Sequence, residues 1–358
     1  MRSDRIHPDR APKGVQASPA SQGSVMPRVT FQHIDRALPP IATSTQEPPS
    51  RPQQFSQNHT YEYDGLEGLR RLKGRVSVIV TSPPYNIGKP YSVYDDSREE
   101  EDYLAWMGQF ADACSEALGE DGSLFLNIGG KPSDPAVPLK VALEFIQTKE
   151  HPTRLALQNT IIWVKSIAIP KEDIPKHHGA TDDRTFGHYQ PINGPPFLNG
   201  CFEYIFHFTK SGRNELDKLA IGVSYQDKSN VSRWRGKDRR DRGNTWFIPY
   251  ETINESRPHP ATFPTKLPEM CIQLHGIERA RHGLVVDPFM GIGSTGVACS
   301  QLGVPFLGFD IDPSYVAIAE ERVSNTKGRK RNTRQEGLDT LSPSKKTATT
   351  QGHGEKDP

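Results

Sequence analysis

Ser82-Pro83-Pro84-Tyr85 places a hydroxyl, two proline carbonyls and an aromatic ring on four consecutive residues. Neither proline carries an N–H, and each biases the residue before it toward extended backbone. The peptide is therefore stiff and rich in acceptors. That combination suits the activation of an exocyclic amine on an aromatic base. The lone pair of such a nitrogen is delocalised into the ring, which makes it a poor nucleophile. Acceptors at its N–H groups, here the Ser82 hydroxyl and the Pro83 or Pro84 carbonyl, pull it toward a tetrahedral, nucleophilic form. The face of Tyr85 can stack on a base taken out of the helix. Taken alone, the stretch is equally well explained as an ordinary strand-ending Pro-Pro turn.

A second set of residues lies far along the chain. Asp287-Pro288-Phe289-Met290-Gly291-Ile292-Gly293-Ser294 is a glycine-rich turn opening a helix, and Asp310 stands nineteen residues after Gly291. Glycines let the backbone approach a ligand, and N–H groups at the helix start meet its negative part. Asp310, ending the next strand, can accept both hydroxyls of a ribose. Gly291, Gly293 and Gly296 spell G-x-G-x-x-G, so a nicotinamide-dependent oxidoreductase is a serious rival reading. Two features count against it. Only one further strand follows the fingerprint, too little for a self-contained dinucleotide domain, and Ser82–Tyr85 has no role in hydride transfer. A donor with one ribose and a carboxylate needs one such half, which suits S-adenosylmethionine.

Strands and helices must hold these two anchors. Val76–Val80, Gly122–Gly130, Leu157–Ile169, Leu284–Val286 and Pro305–Asp310 read as strands. Cys201–Lys210 is another, expected to pair antiparallel with its predecessor at the sheet edge. Tyr103, Met107, Phe110, Cys114 and Leu118 recur at helical spacing, as do Leu267, Met270 and Leu274, and Val316, Ala319 and Val323. Pro138–Gln147 reads as a further helix. A short strand from His59 ends at Asp64, followed by Leu66, Leu69 and Leu72 on a helix that Asp64 would cap. The expected architecture is α/β: a doubly wound, mainly parallel sheet with an antiparallel strand at one edge. Both anchors should meet at the C-terminal ends of adjacent central strands.

The chain has 358 residues, with 44 Lys and Arg against 43 Asp and Glu, so nucleic-acid contact must come from local patches. No apolar run reaches membrane-span length and no signal-peptide pattern appears. The four cysteines are scattered without C-x-x-C pairing, which fits a reducing cytoplasm. No metal site is expected: His177-His178 has no acidic or cysteine partner at ligand spacing. Residues 1–57, rich in Pro, Ser, Gln and Arg, read as a disordered extension. Residues 325–358 read as a disordered tail carrying Lys327, Arg329, Lys330, Arg331 and Arg334. Arg233, Trp234, Arg235, Lys237, Arg239, Arg240 and Arg242 form a basic patch around one indole, either a DNA-contacting surface or a solvated loop with internal Asp–Arg pairs.

The Ser-Pro-Pro-Tyr peptide resembles motif IV of the S-adenosylmethionine-dependent DNA amino-methyltransferases. Its serine form suggests cytosine N4, since Asp or Asn is usual where adenine N6 is the target. Phe289-Met-Gly291-Ile-Gly293 resembles the family's F-x-G-x-G, and Ser256–Pro264 with its following helix resembles motif X, which lines the donor pocket. The order of the matches, Asp64, Ser82–Tyr85, a variable region, His259–Pro264, Asp287–Gly293 and Asp310, resembles the circularly permuted β group over residues 58–324. The resemblance implies a class I methyltransferase-like sheet of seven strands. It makes Ser82, Pro83, Pro84 and Tyr85 catalytic. It assigns the donor to Asp64, Asp287, Pro288, Phe289, Gly291, Gly293, Ser294, Asp310, His259 and Pro260, with Asp64 near the donor's adenine. Residues 170–250 become the target-recognition region. The implied substrate is double-stranded DNA, bound by a monomer or homodimer, and the resemblance leaves room for a cognate restriction endonuclease without requiring one. Adenine N6 stands as the alternative target, and a DNA-binding protein without activity as a third reading.

Overall fold

The computed structural model describes residues 54–174, 181–187, 194–229, 231, 238–250 and 262–339. The chain divides into two units, Met1–Pro52 and Gln53–Pro358, and all described residues belong to the second. Its elements run β1 (His59–Glu62), α1 (Gly65–Arg70), β2 (Val76–Thr81), α2 (Glu100–Ala117), β3 (Leu118–Ile128), α3 (Val137–Phe145) and β4 (Ala156–Val164). A short ribbon, β5 (Ser166–Ile169) and β6 (Arg184–Gly187), precedes β7 (Phe202–Thr209) and β8 (Thr245–Phe247). The chain then forms α4 (Lys266–His275), α5 (Ile277–His282), β9 (Val285–Asp287), α6 (Ser294–Leu302), β10 (Phe306–Asp310) and α7 (Pro313–Asp339).

Among the described residues the main sheet has eight strands in the order β1-β10-β9-β2-β3-β7-β4-β8. β1, β10, β9, β2 and β3 are mutually parallel. Only β7 runs against its neighbours, pairing antiparallel with β3 and with β4. Strand residues alternate between two cores. Ile79, Leu124, Leu126, Val286, Leu307 and Phe309 meet the face covered by α1, α2 and α3. Val78, Val80, Phe125, Val285 and Phe306 meet the face covered by α4, α6 and α7. Burial on both faces is why these strands read as unbroken apolar runs.

The α/β, mainly parallel architecture is as expected, with four differences. The sheet has eight strands instead of seven, because Thr245–Phe247 pairs parallel with β4. Its Trp246 is buried, and its backbone covers what would be an open edge of β4. The antiparallel strand is internal instead of at the edge: Ile205, Phe206 and Phe208 are buried, and both sides of β7 are hydrogen-bonded. The run read as one strand from Leu157 breaks at Lys165, after which β5 leaves the main sheet to pair with β6. The last helix also continues past Asn325 to Asp339, through residues assigned to an unstructured tail.

Candidate active site

Loops leaving the C-terminal ends of five parallel strands converge on one cleft of about 830 Å³. Asp64 and Gly65 follow β1, Ser82–Tyr85 follow β2, Gly129–Lys131 follow β3, Pro288–Ile292 follow β9 and Asp310–Asp312 follow or end β10. β2 and β9 are hydrogen-bonded neighbours, so the two anchors identified in the sequence lie side by side.

A buried carboxylate ties them together. Asp287 accepts from the hydroxyls of Thr81 at 2.7 Å and Thr295 at 2.6 Å, and from the Phe289 N–H at 3.1 Å. Thr81 ends β2 and Thr295 lies in the first turn of α6. Burial pushes the Asp287 carboxyl up to about 6, against the opposing pull of its three donors. Asp287 is fully buried and does not line the cleft: it holds the anchors from beneath. Gly293 is also absent from the cleft wall. Its backbone is left-handed (φ 84°), and a Cβ there would fall 2.8 Å from Ala319 Cβ, so this glycine lets α6 and α7 approach.

Pro288, Phe289, Gly291, Ser294 and Asp310 do line the cleft. Asp310 accepts the Gly291 N–H at 2.8 Å and the Asp312 N–H at 2.9 Å, one on each oxygen, and burial raises its carboxyl above the ordinary range. Each oxygen keeps a further lone pair. Asp64 caps α1 by accepting the Glu67 N–H at 2.9 Å, and it lines the cleft as well. Gly65 has no side chain to hold it off Pro288: a Cβ would fall 2.1 Å from the Pro288 carbonyl oxygen. His259 and Pro260 lie outside the described residues. Their described neighbours Thr262 and Phe263 line the cleft, and the Phe263 carbonyl accepts from the Ser294 hydroxyl at 2.9 Å.

Ser82, Pro83, Pro84 and Tyr85 all face the cleft. The Pro84 carbonyl already accepts the Tyr103 hydroxyl at 2.9 Å. The Ser82 and Tyr85 hydroxyls are 2.8 Å apart, and Tyr85 donates to Glu203 at 2.9 Å. Glu203 pairs with Lys165 at 2.8 Å, and Asn127 donates to it at 3.0 Å. Burial, followed by the Glu203 charge, raises the Tyr85 phenol well above its ordinary value. The loop after Tyr85 is pinned by buried Asp96, which accepts the N–H groups of Asn86, Ile87 and Lys89.

The sequence alone gives Glu203, Lys165, Asn127 and Asp96 no place at the site, and gives Tyr103 only a place on a helix face. The sequence signal for Glu203 is a carboxylate set in the aromatic and apolar run Phe202-Glu203-Tyr204-Ile205-Phe206 at the start of β7. The basic patch is divided. Arg233, Trp234, Arg235 and Lys237 lie outside the described residues. Arg239 donates to the Gly222 carbonyl at 3.2 Å and Arg242 to the Ile221 carbonyl at 3.0 Å, so both brace the loop they lie against. Arg240 is exposed. None of the three lines the cleft. Among the described residues no group of three or more His, Cys, Asp or Glu could hold a metal ion, and no helix is long and apolar enough to cross a membrane.

Comparison with known proteins places this cleft in a family. A model described as DNA methylase matches residues 76–321. The Type II methyltransferase M.BglII of Bacillus subtilis is 26% identical over 290 residues, covering 77% of this chain and 71% of that protein. M.Cfr9I of Citrobacter freundii, also a Type II methyltransferase, is 28% identical over 306 residues, covering 76% and 90%. The solved structure of the PvuII DNA methyltransferase (cytosine-N4-specific) is similar in fold, with a TM-score of 0.50 at 21% identity, over 76% of this chain and 92% of that one.

Proposed function

This chain belongs to the N6/N4 DNA methylases, and we propose that it moves a methyl group from S-adenosylmethionine to N4 of cytosine in duplex DNA. The observation that carries the choice of base is Ser82. A hydroxyl stands at the head of the Pro-Pro-Tyr peptide, facing a cleft that also holds the glycine-rich turn. The cleft suits the donor. About 830 Å³ holds a nucleoside and an extruded base together. Asp310 has lone pairs left for ribose hydroxyls, and Phe289, Trp106 and Ile311 offer apolar surface to a purine.

When bound, the donor supplies an electrophilic methyl group for direct displacement by the amine nitrogen. The protein's own residues do the rest. Ser82 Oγ and the Pro83 or Pro84 carbonyl accept the two N4 hydrogens, the Pro84 oxygen with the lone pair that Tyr103 leaves it. Tyr85 presents its ring to the flipped base. Asp64, Pro288, Phe289, Gly291, Ser294 and Asp310 hold the donor, joined by His259 and Pro260. Asp287 and Gly293 act on it indirectly, by fixing the turn. The region 170–250 reads the target sequence.

Purified protein incubated with methyl-labelled donor and unmethylated duplex DNA, followed by digestion and nucleoside mass spectrometry, tests this reading. N4-methylcytosine is the expected product. N6-methyladenine would overturn the choice of base, and absence of any methylated nucleoside with donor binding intact would overturn the activity.

A further inference from the structure

A serine hydroxyl is an ambiguous tool for activating an amine, because it both donates and accepts. Only the accepting orientation draws electron density toward the nitrogen. A hydroxyl proton pointing at the amine would oppose the approach of its N–H groups. Something must fix which way the Ser82 proton points.

Glu203 does this by hydrogen-bond polarity. An ionised carboxylate only accepts. Its Oε1 accepts from Lys165 Nζ at 2.8 Å, and its Oε2 accepts from Asn127 Nδ2 at 3.0 Å and from the Tyr85 hydroxyl at 2.9 Å. The single phenolic proton of Tyr85 is thereby committed to Glu203. Toward Ser82, 2.8 Å away, the Tyr85 oxygen can then only accept. The Ser82 proton must point inward to Tyr85, and the Ser82 lone pairs are left for the cleft. Gly129 gives this chain its room: a Cβ there would lie 3.0 Å from Glu203 Cγ and 3.1 Å from Tyr85 Cε2. The Lys165–Glu203 pair is itself largely buried, with side-chain exposures of 16% and 11%, so its geometry is held by packing as well as by charge.

We propose that Glu203 is a positioning residue which, through Tyr85, orients the Ser82 hydroxyl so that it meets the target amine only as an acceptor. The inference rests on the reading of Ser82 as the amine's acceptor. It does not depend on which base is methylated, because adenine N6 and cytosine N4 present the same kind of N–H.

Glu203→Gln tests it with almost no change of shape. With the glutamine carbonyl turned to the Lys165 ammonium, the amide nitrogen faces Tyr85 and donates, while Asn127 gives up its bond to position 203 and keeps the one to the Tyr204 carbonyl. The chain then reverses, and the Ser82 proton points into the cleft. The single-turnover methylation rate on duplex DNA should fall roughly 10- to 100-fold, the scale of one misdirected hydrogen bond to a reacting group. Donor affinity by calorimetry and DNA affinity by filter binding should stay within about twofold. Tyr85→Phe cuts the chain, so Glu203→Gln added to Tyr85→Phe should have no further effect on rate. A role in folding or packing alone would instead give additive losses. Equal rates for Glu203→Gln and wild type, or additive effects in the double variant, would overturn the inference. Loss of methylated nucleoside in the wild type would instead strike the function itself.

Discussion

Asp287 gives a prediction whose sign depends on which of two opposing effects prevails. Its three donors, the Thr81 and Thr295 hydroxyls and the Phe289 N–H, favour the carboxylate. Complete burial disfavours it and prevails, moving the group from its ordinary 3.8 to about 6. Between those two pH values the folded chain holds a proton that the unfolded chain has released, so stability rises as pH falls through the window. Each pH unit carries about 1.4 kcal/mol, so the full effect is about 3 kcal/mol, present below the lower value and lost above the upper one. Asp287→Asn removes the titration and keeps the shape. With Oδ1 still accepting from Thr81 and the Phe289 N–H, the Thr295 hydroxyl can rotate to accept from the new amide nitrogen, so the variant should fold. Urea unfolding of both proteins followed by circular dichroism, at steps from pH 7.5 to about 4.5, should show the wild type gaining about 2 kcal/mol on the variant across the measured part of the window. Two curves that stay parallel would refute the reasoning. They would mean that three well-aligned donors hold the carboxylate ionised in spite of its burial.

Three further outcomes follow from the structure. Gly65→Ala should lower donor affinity by roughly tenfold in a calorimetric titration, because its Cβ would displace the Pro288 carbonyl; urea unfolding should also show it destabilised, whereas in an open helix the same change stabilises by up to about 1 kcal/mol. His207 and His275 share the Ser123 hydroxyl, and burial lowers them from 6.5 to about 3 and about 4. The unfolded chain protonates first, so their contribution is complete above pH 6.5 and is lost on acidification toward pH 4 at about 1.4 kcal/mol per unit for each ring; a His207→Gln/His275→Gln variant should show a flatter dependence of unfolding free energy on pH. Arg240→Ala should reduce the salt slope of DNA binding by about 0.9, whereas Arg242→Ala should leave the slope unchanged and cost about 1–2 kcal/mol of stability through its bond to the Ile221 carbonyl.

Much of the fold was legible because burial on both faces writes a strand as an apolar run, and β2, β3, β9 and β10 are buried in that way. The parts that escaped lack that signal. β8 is three residues long, and only the tertiary burial of Trp246 makes it a strand. At the site, residue types indicated the chemistry but not the direction of each side chain. Asp287 and Asp310 both end strands beside the glycine-rich turn, and nothing local shows that one faces the cleft and the other the core. Arg239 and Arg242 likewise read as charge on a patch, while the backbone carbonyls they hold belong to a loop some twenty residues away in sequence.

Glu203 escaped for a topological reason. In an open parallel sheet, ligands gather at the C-terminal ends of the strands, so a search for site residues looks just after each strand. That rule finds Ser82, Pro288 and Asp310, and it also covers Lys165, which follows β4 directly. A strand that runs the other way presents its beginning at the same end of the sheet. β7 is that strand, with Tyr204 paired to Ile128 at the last position of β3 and Glu203 one residue nearer the cleft. Had β7 been parallel, Thr209 would stand at the cleft and the carboxylate at the opposite end of the sheet. The reversal therefore gives the site an acceptor-only side chain in contact with Tyr85. It also sets that group between two parallel strands, where Asn127 of β3 and Lys165 after β4 reach it from either side. The interior position of β7 thus shapes the cleft: at the sheet edge, Glu203 would have a neighbouring strand on one side only.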